Sequence, residues 1–515
     1  MEAFIPAAPL FVVFIGAIIG VAMEGAVPRL HRPTIQSWWT ALVIVAGLGW
    51  TAVDWNRGQG TLSAKASLAI DGPTWAAWVL LLFFGLLSLL LFADHRVGGG
   101  ESPFVASASA VPASQAERDA IAARQEQTEV YPLLLFSLTG MMSFVAANDM
   151  ITMFVSLEIF SFPLYILASL ARRRRLLSQE AALKYFLLGA LSSALFLYGL
   201  ALLYGFSGSF FLRDIDSSIT SGAGSEPLLL AGMGLVSVGI LFKLGAVPFH
   251  NWVPDVYTGS PTPVTGFMAI CTKLAAAVGL LRILYVALGA MRWDWQLYVA
   301  VIAVLTMLAG GLIGLMQTDV KRLMAYSSIA HAGFILTGVV GATTVISGLA
   351  EGRIGSVASV LFYLAAYGLP TLGTFAIIAL VRRSGAESSG FDAWAGLGRR
   401  RPVLGVAMTI FLLSMAGMPL TGGLIAKIMV FAAAWQGHYQ WLVVVAVVAS
   451  LVTAGFYFRV IWVLFGEAPS EQTAVVQPGA GTWTVIWTGI IGTFVLGVCP
   501  GPLLEVLNNA AVFLR

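Results

Sequence analysis

Four lysines, Lys184, Lys243, Lys273 and Lys427, lie inside stretches otherwise built of Leu, Ile, Val, Ala, Gly and Phe. The chain has only six lysines among its 28 basic residues, and the other two, Lys65 and Lys321, stand in polar surroundings. The remaining 22 are arginines, nearly all flanking the apolar stretches. A lysine near a bilayer centre costs roughly 2.5–3.5 kcal/mol on insertion scales. Lysine readily loses its proton when buried, whereas arginine stays charged. Arginine at the edges and lysine in the interior therefore point to proton handling within a membrane. The energies are compatible. Moving a proton against a potential costs about 2.3 kcal/mol per 100 mV. A change of one in a pKa is worth about 1.4 kcal/mol, so a swing of about three covers ~150–200 mV.

Other ionisable groups share these stretches. Glu158 lies within Val-Ser-Leu-Glu-Ile-Phe-Ser-Phe-Pro-Leu-Tyr, and Lys184 follows in the next apolar segment. Adjacent antiparallel helices can bring the two together, each charge partly solvating the other. Such a pair is either a switch that shifts a neighbour's proton affinity or a structural pair that fixes helix register. Lys243 and Lys273 have no carboxylate in their own segments. Each stands too deep to snorkel easily to the interface, so both are expected to be buried and titrating, as is Lys427. His250 and His331 are candidate proton relays, since histidine titrates near neutrality; the alternative is a hydrogen-bonded packing residue. Arg172 to Arg175 read as a topology anchor facing anionic lipid or as a subunit contact.

Some chemistry finds no signature in the chain. The five histidines have no haem or metal spacing, and Cys271 and Cys499 read as small packing residues. No GxGxxG after a strand, Walker loop or CxxC pair occurs. No flavin, nucleotide, iron–sulfur or metal site is expected here, and no nucleic-acid partner. The driving force must come from a partner complex or an ion gradient.

The elements that position these groups follow from composition. Hydrophobic residues make up 58% of the 515 residues and charged ones 10%, with a mean hydropathy of +0.88. Runs of about 20 apolar residues are membrane-spanning helices, so the fold class is an all-α polytopic membrane protein. About fourteen segments are expected, roughly at 4–23, 37–54, 74–93, 130–147, 149–170, 179–206, 228–249, 261–287, 294–317, 321–344, 354–381, 402–436, 440–465 and 482–512. Glu2 precedes the first, so no cleaved signal peptide is expected. Pro248 soon after Lys243, and Pro419 with Gly422 and Gly423 inside the overlong segment 12, predict broken helices 7 and 12. Such breaks free backbone groups that must face protein or a wet cavity. Segments 4–8 and 9–13 each place a Pro-interrupted segment with a nearby lysine fourth, which fits two five-helix repeats inverted in the membrane.

Loops after odd-numbered segments hold sixteen basic residues, among them Arg96, Arg118, Arg124, Lys321 and Arg399 to Arg401. Loops after even-numbered segments hold five: Arg57, Lys65, Arg213, Arg292 and Arg353. The odd loops then face the cytoplasm and both termini lie outside. The expected organisation is three N-terminal helices (1–93), a mobile cytoplasmic loop (94–129), a first repeat (130–287), a second (293–466) and a terminal helix (481–515).

The stretch Phe-Lys-Leu-Gly-Ala-Val-Pro-Phe-His-Asn-Trp-Val-Pro-Asp-Val-Tyr-Thr-Gly-Ser-Pro-Thr-Pro-Val-Thr, residues 242–265, resembles the subunit N family of bacterial respiratory complex I, counterpart of mitochondrial subunit 2. Glu180 to Ala190, the Lys321-Arg-Leu-Met-Ala-Tyr-Ser-Ser-Ile-Ala-His-Ala-Gly stretch and Gly417-Met-Pro-Leu-Thr-Gly-Gly are also similar to it. The likeness spans 130–466, and the Pro254-Asp-Val-Tyr form separates it from sister antiporter-like subunits. It implies a membrane-arm subunit of proton-translocating NADH:quinone oxidoreductase in a bacterial cell membrane. Flavin, iron–sulfur clusters and quinone would belong to partner subunits, and sister antiporter-like subunits and the lipid bilayer would surround the chain. Residue by residue, Glu158 and Lys184 would be the coupling pair and Lys243 the central proton-binding lysine. Lys273 would bridge to the second repeat, His331 would lie on the path between, and Lys427 would pass protons outward. The alternatives are a subunit of a multi-subunit cation/proton antiporter, one of a ferredoxin-driven photosynthetic complex, and a structural scaffold.

Overall fold

In a bilayer an apolar segment can satisfy its backbone only through its own hydrogen bonds, so long apolar runs become helices. In the computed structural model, which describes residues 2–58, 60–96, 102–111, 114–123, 125–222, 224–342, 355–383, 386–468 and 473–514, the chain is mostly helical. Among the described residues eleven helices are long and apolar enough to cross a membrane, and Val130–Ala146, Pro402–Ala416 and Gly422–Gln436 are shorter apolar ones. The chain is a multi-pass membrane protein. Arg124 and Arg353 lie outside the described residues.

The helices form a ring around a buried centre. Thr262–Ala287, Val320–Val340 and Ser356–Ile378 are wholly enclosed along their apolar windows, whereas Ala480–Val498 is only 28% buried there. Outward Leu, Val and Trp side chains such as Leu451, Leu187 and Trp462 remain exposed on the outer helices, as lipid-facing residues must. The helix Arg32–Arg57 turns its polar side inward, with Gln36, Thr40, Thr51 and Asp54 buried. Gln36 donates to Glu24 and to the Gly20 carbonyl, both at 2.7 Å.

Carboxylates open several helices by accepting backbone N–H groups that have no intrahelical partner. Asp149 caps Met150–Ala168 through Thr152 N at 2.7 Å, and Asp319 caps Val320–Val340 through Arg322 N at 2.8 Å. Asp71 caps Gly72–Phe92 and also receives the Arg282 guanidinium, at 2.8 Å and 3.0 Å. Both side chains are buried, 0% and 2% exposed. Arg282 departs from the expected rule that arginines keep to the edges.

Several boundaries differ from those read in the sequence. The expected segment 402–436 is two helices, and 482–512 is Ala480–Val498 followed by Gly501–Asn509. Segment 228–249 stops at Leu244. The all-α reading also missed two small sheets: Thr61–Ser63 with Leu68–Ile70, and Ala386–Glu387, Val381–Arg383 and Thr473–Val475 side by side. Strands of two or three residues are too short for an alternating pattern to register. The described parts of loop 94–129 carry a helix, Gln115–Ala122, against which Arg175 is buried, bonding Glu117 at 3.0 Å and the Ala110 carbonyl at 2.8 Å. One member of the arginine run is thus a clamp on this loop.

Two expectations follow. Removing one partner of a buried ion pair leaves the other charge stranded and costs ~3–5 kcal/mol. Asp71→Ala is therefore expected to lower the thermal stability of the assembled protein sharply, and Asp71→Ala with Arg282→Met to recover much of it; a differential scanning measurement in detergent checks both. The second concerns His95, which bonds Glu126 at 2.9 Å. That hydrogen bond raises its pKa above the usual histidine value. A raised folded-state pKa gives stability that is complete below the unfolded value and is lost as pH climbs through the folded one. Limited proteolysis of the described 102–127 region should accelerate as pH rises past the histidine range, and His95→Ala should abolish that dependence.

Candidate functional site

The site begins where two helices stop. Glu226–Leu244 ends at Gly245 in the left-handed region, φ 77°, and the chain resumes as a helix at Trp252–Gly259 after Pro248. Pro402–Ala416 ends the same way at Gly417, φ 90°, and resumes at Gly422. An L residue resists such a φ, so glycine ends each helix cleanly. Gly423 packs so close to the Ser414 carbonyl that a Cβ there would lie 1.8 Å from its oxygen. Both breaks leave carbonyls without helical partners, and lysines take them. Lys273 Nζ meets the Leu244 carbonyl at 3.4 Å and the Ser328 carbonyl at 2.5 Å. Lys427 Nζ donates to the Ala416 carbonyl at 2.8 Å and to Ser450 at 2.7 Å.

Lys243 is held differently. It is 2% exposed, and its Nζ lies 5.1–5.7 Å from the ring centres of Tyr185, Tyr165, Phe160 and Phe242. The Tyr165 hydroxyl, at 3.4 Å, is its hydrogen-bond partner. Glu158 acts on it electrostatically, while Glu158 Oε1 is buried with no hydrogen-bond partner. Lys243 is thus a cation among aromatic faces with a carboxylate acting on it electrostatically.

Polar groups connect the lysines. Lys243, Tyr257, Thr272, Lys273 and Ser328 line one narrow gap with no room for a water centre. Thr272 closes a turn of π-helix, Met268–Thr272, directly before Lys273, a distortion common at functional positions. Beyond Lys273, His331 Nδ1 meets the Tyr363 hydroxyl at 2.6 Å, and Nε2 meets Tyr457 at 3.0 Å. Its ring lies 4.5 Å from that of Tyr367, and both Lys273 and Lys427 act on it electrostatically. A second gap of ≈ 10 Å³, about one water, is lined by His331, Tyr363, Tyr367, Ser414 and Gly423. Glu158, Lys243, Lys273, His331 and Lys427 thus follow one another through the buried centre, each acting on the next electrostatically or lining a shared gap.

Two expectations change. Glu158 and Lys184 form no ion pair: Lys184 is 44% exposed and bonds Asp255 at 2.9 Å and Glu180 at 2.8 Å. Glu180 lies one turn earlier on the same helix, and Asp255 projects from the short helix packed against it, so both reach the ammonium first. Lys321, read as a lysine in polar surroundings, is 2% exposed and bonds Glu387 at 3.1 Å. His250 is half-buried in the first break, its ring against the Pro248 carbonyl, and the structure brings it to none of the lysines. Asp255 was missed. It bridges Lys184 and Arg322, the latter at 3.1 Å, and so ties Trp252–Gly259 to Val320–Val340. It stood in plain view within Pro254-Asp-Val-Tyr, but its partners lie 71 and 67 residues away. The tyrosines were missed too, although Tyr363 and Tyr367, four apart in an apolar helix, share a face. Among the described residues no three His, Cys, Asp or Glu side chains cluster as metal ligands.

Known proteins share this arrangement. The pattern of the NADH:quinone oxidoreductase/Mrp antiporter transmembrane family matches residues 147–453. The NADH-quinone oxidoreductase subunit N of Cutibacterium acnes is 54% identical, over 99% of this chain and 95% of its own. That of Nocardioides sp. is 49% identical over 98% and 97%. A chain of respiratory complex I from Thermus thermophilus with bound aureothin superposes with a TM-score of 0.77 at 31% identity, covering 98% of this chain and 100% of its own. A chain of the Mrp complex from Dietzia sp. reaches 0.78 at 19% identity, over 98% and 97%, a likeness of fold alone.

Proposed function

The chain belongs to the NADH:quinone oxidoreductase/Mrp antiporter family, and on that premise we propose that it conducts protons along Glu158, Lys243, Lys273, His331 and Lys427. It is a proton-translocating membrane-arm subunit of NADH-quinone oxidoreductase, of the subunit N type, working beside sister antiporter-like subunits. Electron transfer, with its flavin, iron–sulfur clusters and quinone, belongs in this reading to the partner subunits. The antiporter alternative rests on likeness of fold at 19% identity, against 54% to the oxidoreductase subunit. The scaffold alternative leaves unexplained why three buried lysines are kept at bilayer cost.

The observation that carries the reading is the seating of the lysines. Each can give up a proton without stranding its partners, because carbonyls, hydroxyls and aromatic faces tolerate the neutral amine. Charge on Glu158 stabilises the ammonium form of Lys243, so loss of that charge favours release of a proton from Lys243. The hand-over to Lys273 passes the gap beside Tyr257 and Thr272, which must widen to admit water. His331 can take a proton at one ring nitrogen while losing one from the other, with Tyr363 and Tyr457 holding the ring. Lys427 would then release toward the outer side. Lys184, paired with Asp255 and Glu180, would be the coupling cation at the rim.

The finer topology follows the same reading. The chain would cross fourteen times with both termini on the outer side of the bacterial cell membrane. Helices 1–3 (1–93) and the loop 94–129 would precede inverted repeats at 130–287 and 293–466, with a last helix at 481–515. The two breaks support this, since each offers a freed carbonyl to a lysine, and so does the uneven spread of basic residues between alternate loops.

In the assembled complex, Lys243→Ala is expected to lower NADH-driven proton pumping about tenfold or more, as loss of a positioned acid–base group does, while NADH oxidation by an artificial acceptor stays normal. Full pumping in that variant would end the proposal. Glu158→Gln should slow quinone-linked NADH oxidation without reducing the amount of assembled complex, and wild-type rates would remove Glu158 from the path.

A further inference from the structure

Lys321 is a buried cation that the path above leaves unused. Its ammonium donates to the Ser260 carbonyl at 2.8 Å, the Thr262 hydroxyl at 2.8 Å and Glu387 Oε1 at 3.1 Å. All three of its hydrogens thus have acceptors. Glu387 projects from the short hairpin of Val381–Arg383 and Ala386–Glu387, and its other oxygen accepts from the Thr262 hydroxyl at 2.5 Å. The carboxylate is 22% exposed and the ammonium 2%, so Glu387 stands between Lys321 and solvent. Both line a cavity with ≈ 60 Å³ open to water, room for several molecules at roughly 10–15 Å³ each.

The position of this pair gives it direction. Its cavity is walled by residues 102–103, 171–174 and 258–263 with Arg382 and Glu387, and Lys321 is among them. These residues lie in or at the ends of the connections after segments 3, 5, 7, 9 and 11, the arginine-rich ones. Inward from the pair, Lys321 and Ser328 lie seven residues apart on one face of Val320–Val340, about 10 Å along the axis at 1.5 Å per residue. The Ser328 carbonyl is the one that holds Lys273. Between the pair and Lys273 lie further polar groups: Thr265, which bonds the Tyr257 carbonyl at 3.1 Å, and the Tyr257 hydroxyl, 3.4 Å from Ser328 Oγ.

We propose that Glu387 takes up protons from the arginine-rich side and that Lys321 relays them toward Lys273. This rests on the proton-conducting role given to the chain above. In the step, an O–H bond forms on Glu387 as one breaks in a hydronium ion of the cavity. The neutral carboxyl no longer holds Lys321, which gives a proton inward toward the Thr262, Tyr257 and Ser328 groups. The Glu387 proton then crosses to the Lys321 amine and the ion pair is restored. One proton enters and one moves inward, with no other change. Arg172 to Arg174 and Arg382 face Glu387 across the cavity, and Asp319 lies by Lys321.

The test uses the assembled oxidoreductase in its native membranes. Glu387→Gln keeps the size of the side chain but cannot take a proton. Quinone-linked NADH oxidation and pumping should fall together about tenfold, more steeply as pH rises, and Glu387→Asp should restore most of the rate. If the pair is only structural, Lys321→Met with Glu387→Gln returns wild-type pumping; that result, or wild-type pumping at every pH in Glu387→Gln alone, overturns the proposal. Should Glu387→Gln fail to assemble, the Glu387→Asp profile decides: a displaced alkaline limb supports proton uptake and an unchanged profile overturns it. Lys243→Ala separates the two proposals. Lost pumping there with full pumping in Glu387→Gln removes the uptake role alone, whereas full pumping in Lys243→Ala removes the path itself.

Discussion

An ammonium group in a low-dielectric interior needs oxygen or an aromatic face around it, and most of this fold can be understood as the means of supplying them. Along a helix each carbonyl already accepts from the N–H four residues on, so only a second lone pair, such as that of Ser328, is left for a lysine. Breaking the helix releases carbonyls at membrane depth, and only enclosure by other helices makes that tolerable. The enclosing helices Thr262–Ala287, Val320–Val340 and Ser356–Ile378 are wholly buried along their apolar windows, and they bring Lys273, His331 and the Tyr363–Tyr367 pair with them. The requirement of the charge thus dictates the break, and the break dictates the surround.

The surround has its own anchor. Arg282 lies at the far end of the Lys273 helix from the π-turn and donates to Asp71 and Thr74 at the start of Gly72–Phe92, and to the Val145 carbonyl at the end of Val130–Ala146. Leu514 N also reaches Asp71, at 3.0 Å, and the guanidinium lies over the Phe513 ring. One planar, permanently charged group therefore fixes three helices and the chain's last described residues. The cations divide by chemistry: the structural anchor is arginine, which keeps its proton, and those placed on the proposed proton path are lysines.

What the sequence disclosed follows the same division. The burial of Lys243, Lys273 and Lys427 was legible because a lysine in an apolar run is too costly to be incidental, and Pro248, Pro419, Gly422 and Gly423 marked the breaks by their own backbone restrictions. Lys321 was misjudged because its neighbours in the chain, Asp319 and Arg322, are polar, while its burial comes from residues 59 to 66 positions away. Asp255 and Lys184 failed for the same reason. Local composition reports the solvent a residue's segment enters, and it is silent on which partner arrives from a distant segment. The short strands at 381–387 and 473–475 escaped notice, and with them the hairpin that carries Glu387.

The two broken helices are alike in backbone and unlike in chemistry. At the second, Lys427 has a carbonyl and a hydroxyl within 2.8 Å. At the first, the freed Leu244 carbonyl goes to Lys273, and Lys243 is left with aromatic faces and one hydroxyl at 3.4 Å. With so few fixed partners, Lys243 is open to the charge of Glu158, which acts on it electrostatically. Glu158 in turn has a buried oxygen with no hydrogen bond. On the proposed path, the first break is therefore where an outside signal would act, and the second is the one whose lysine has the closer fixed partners.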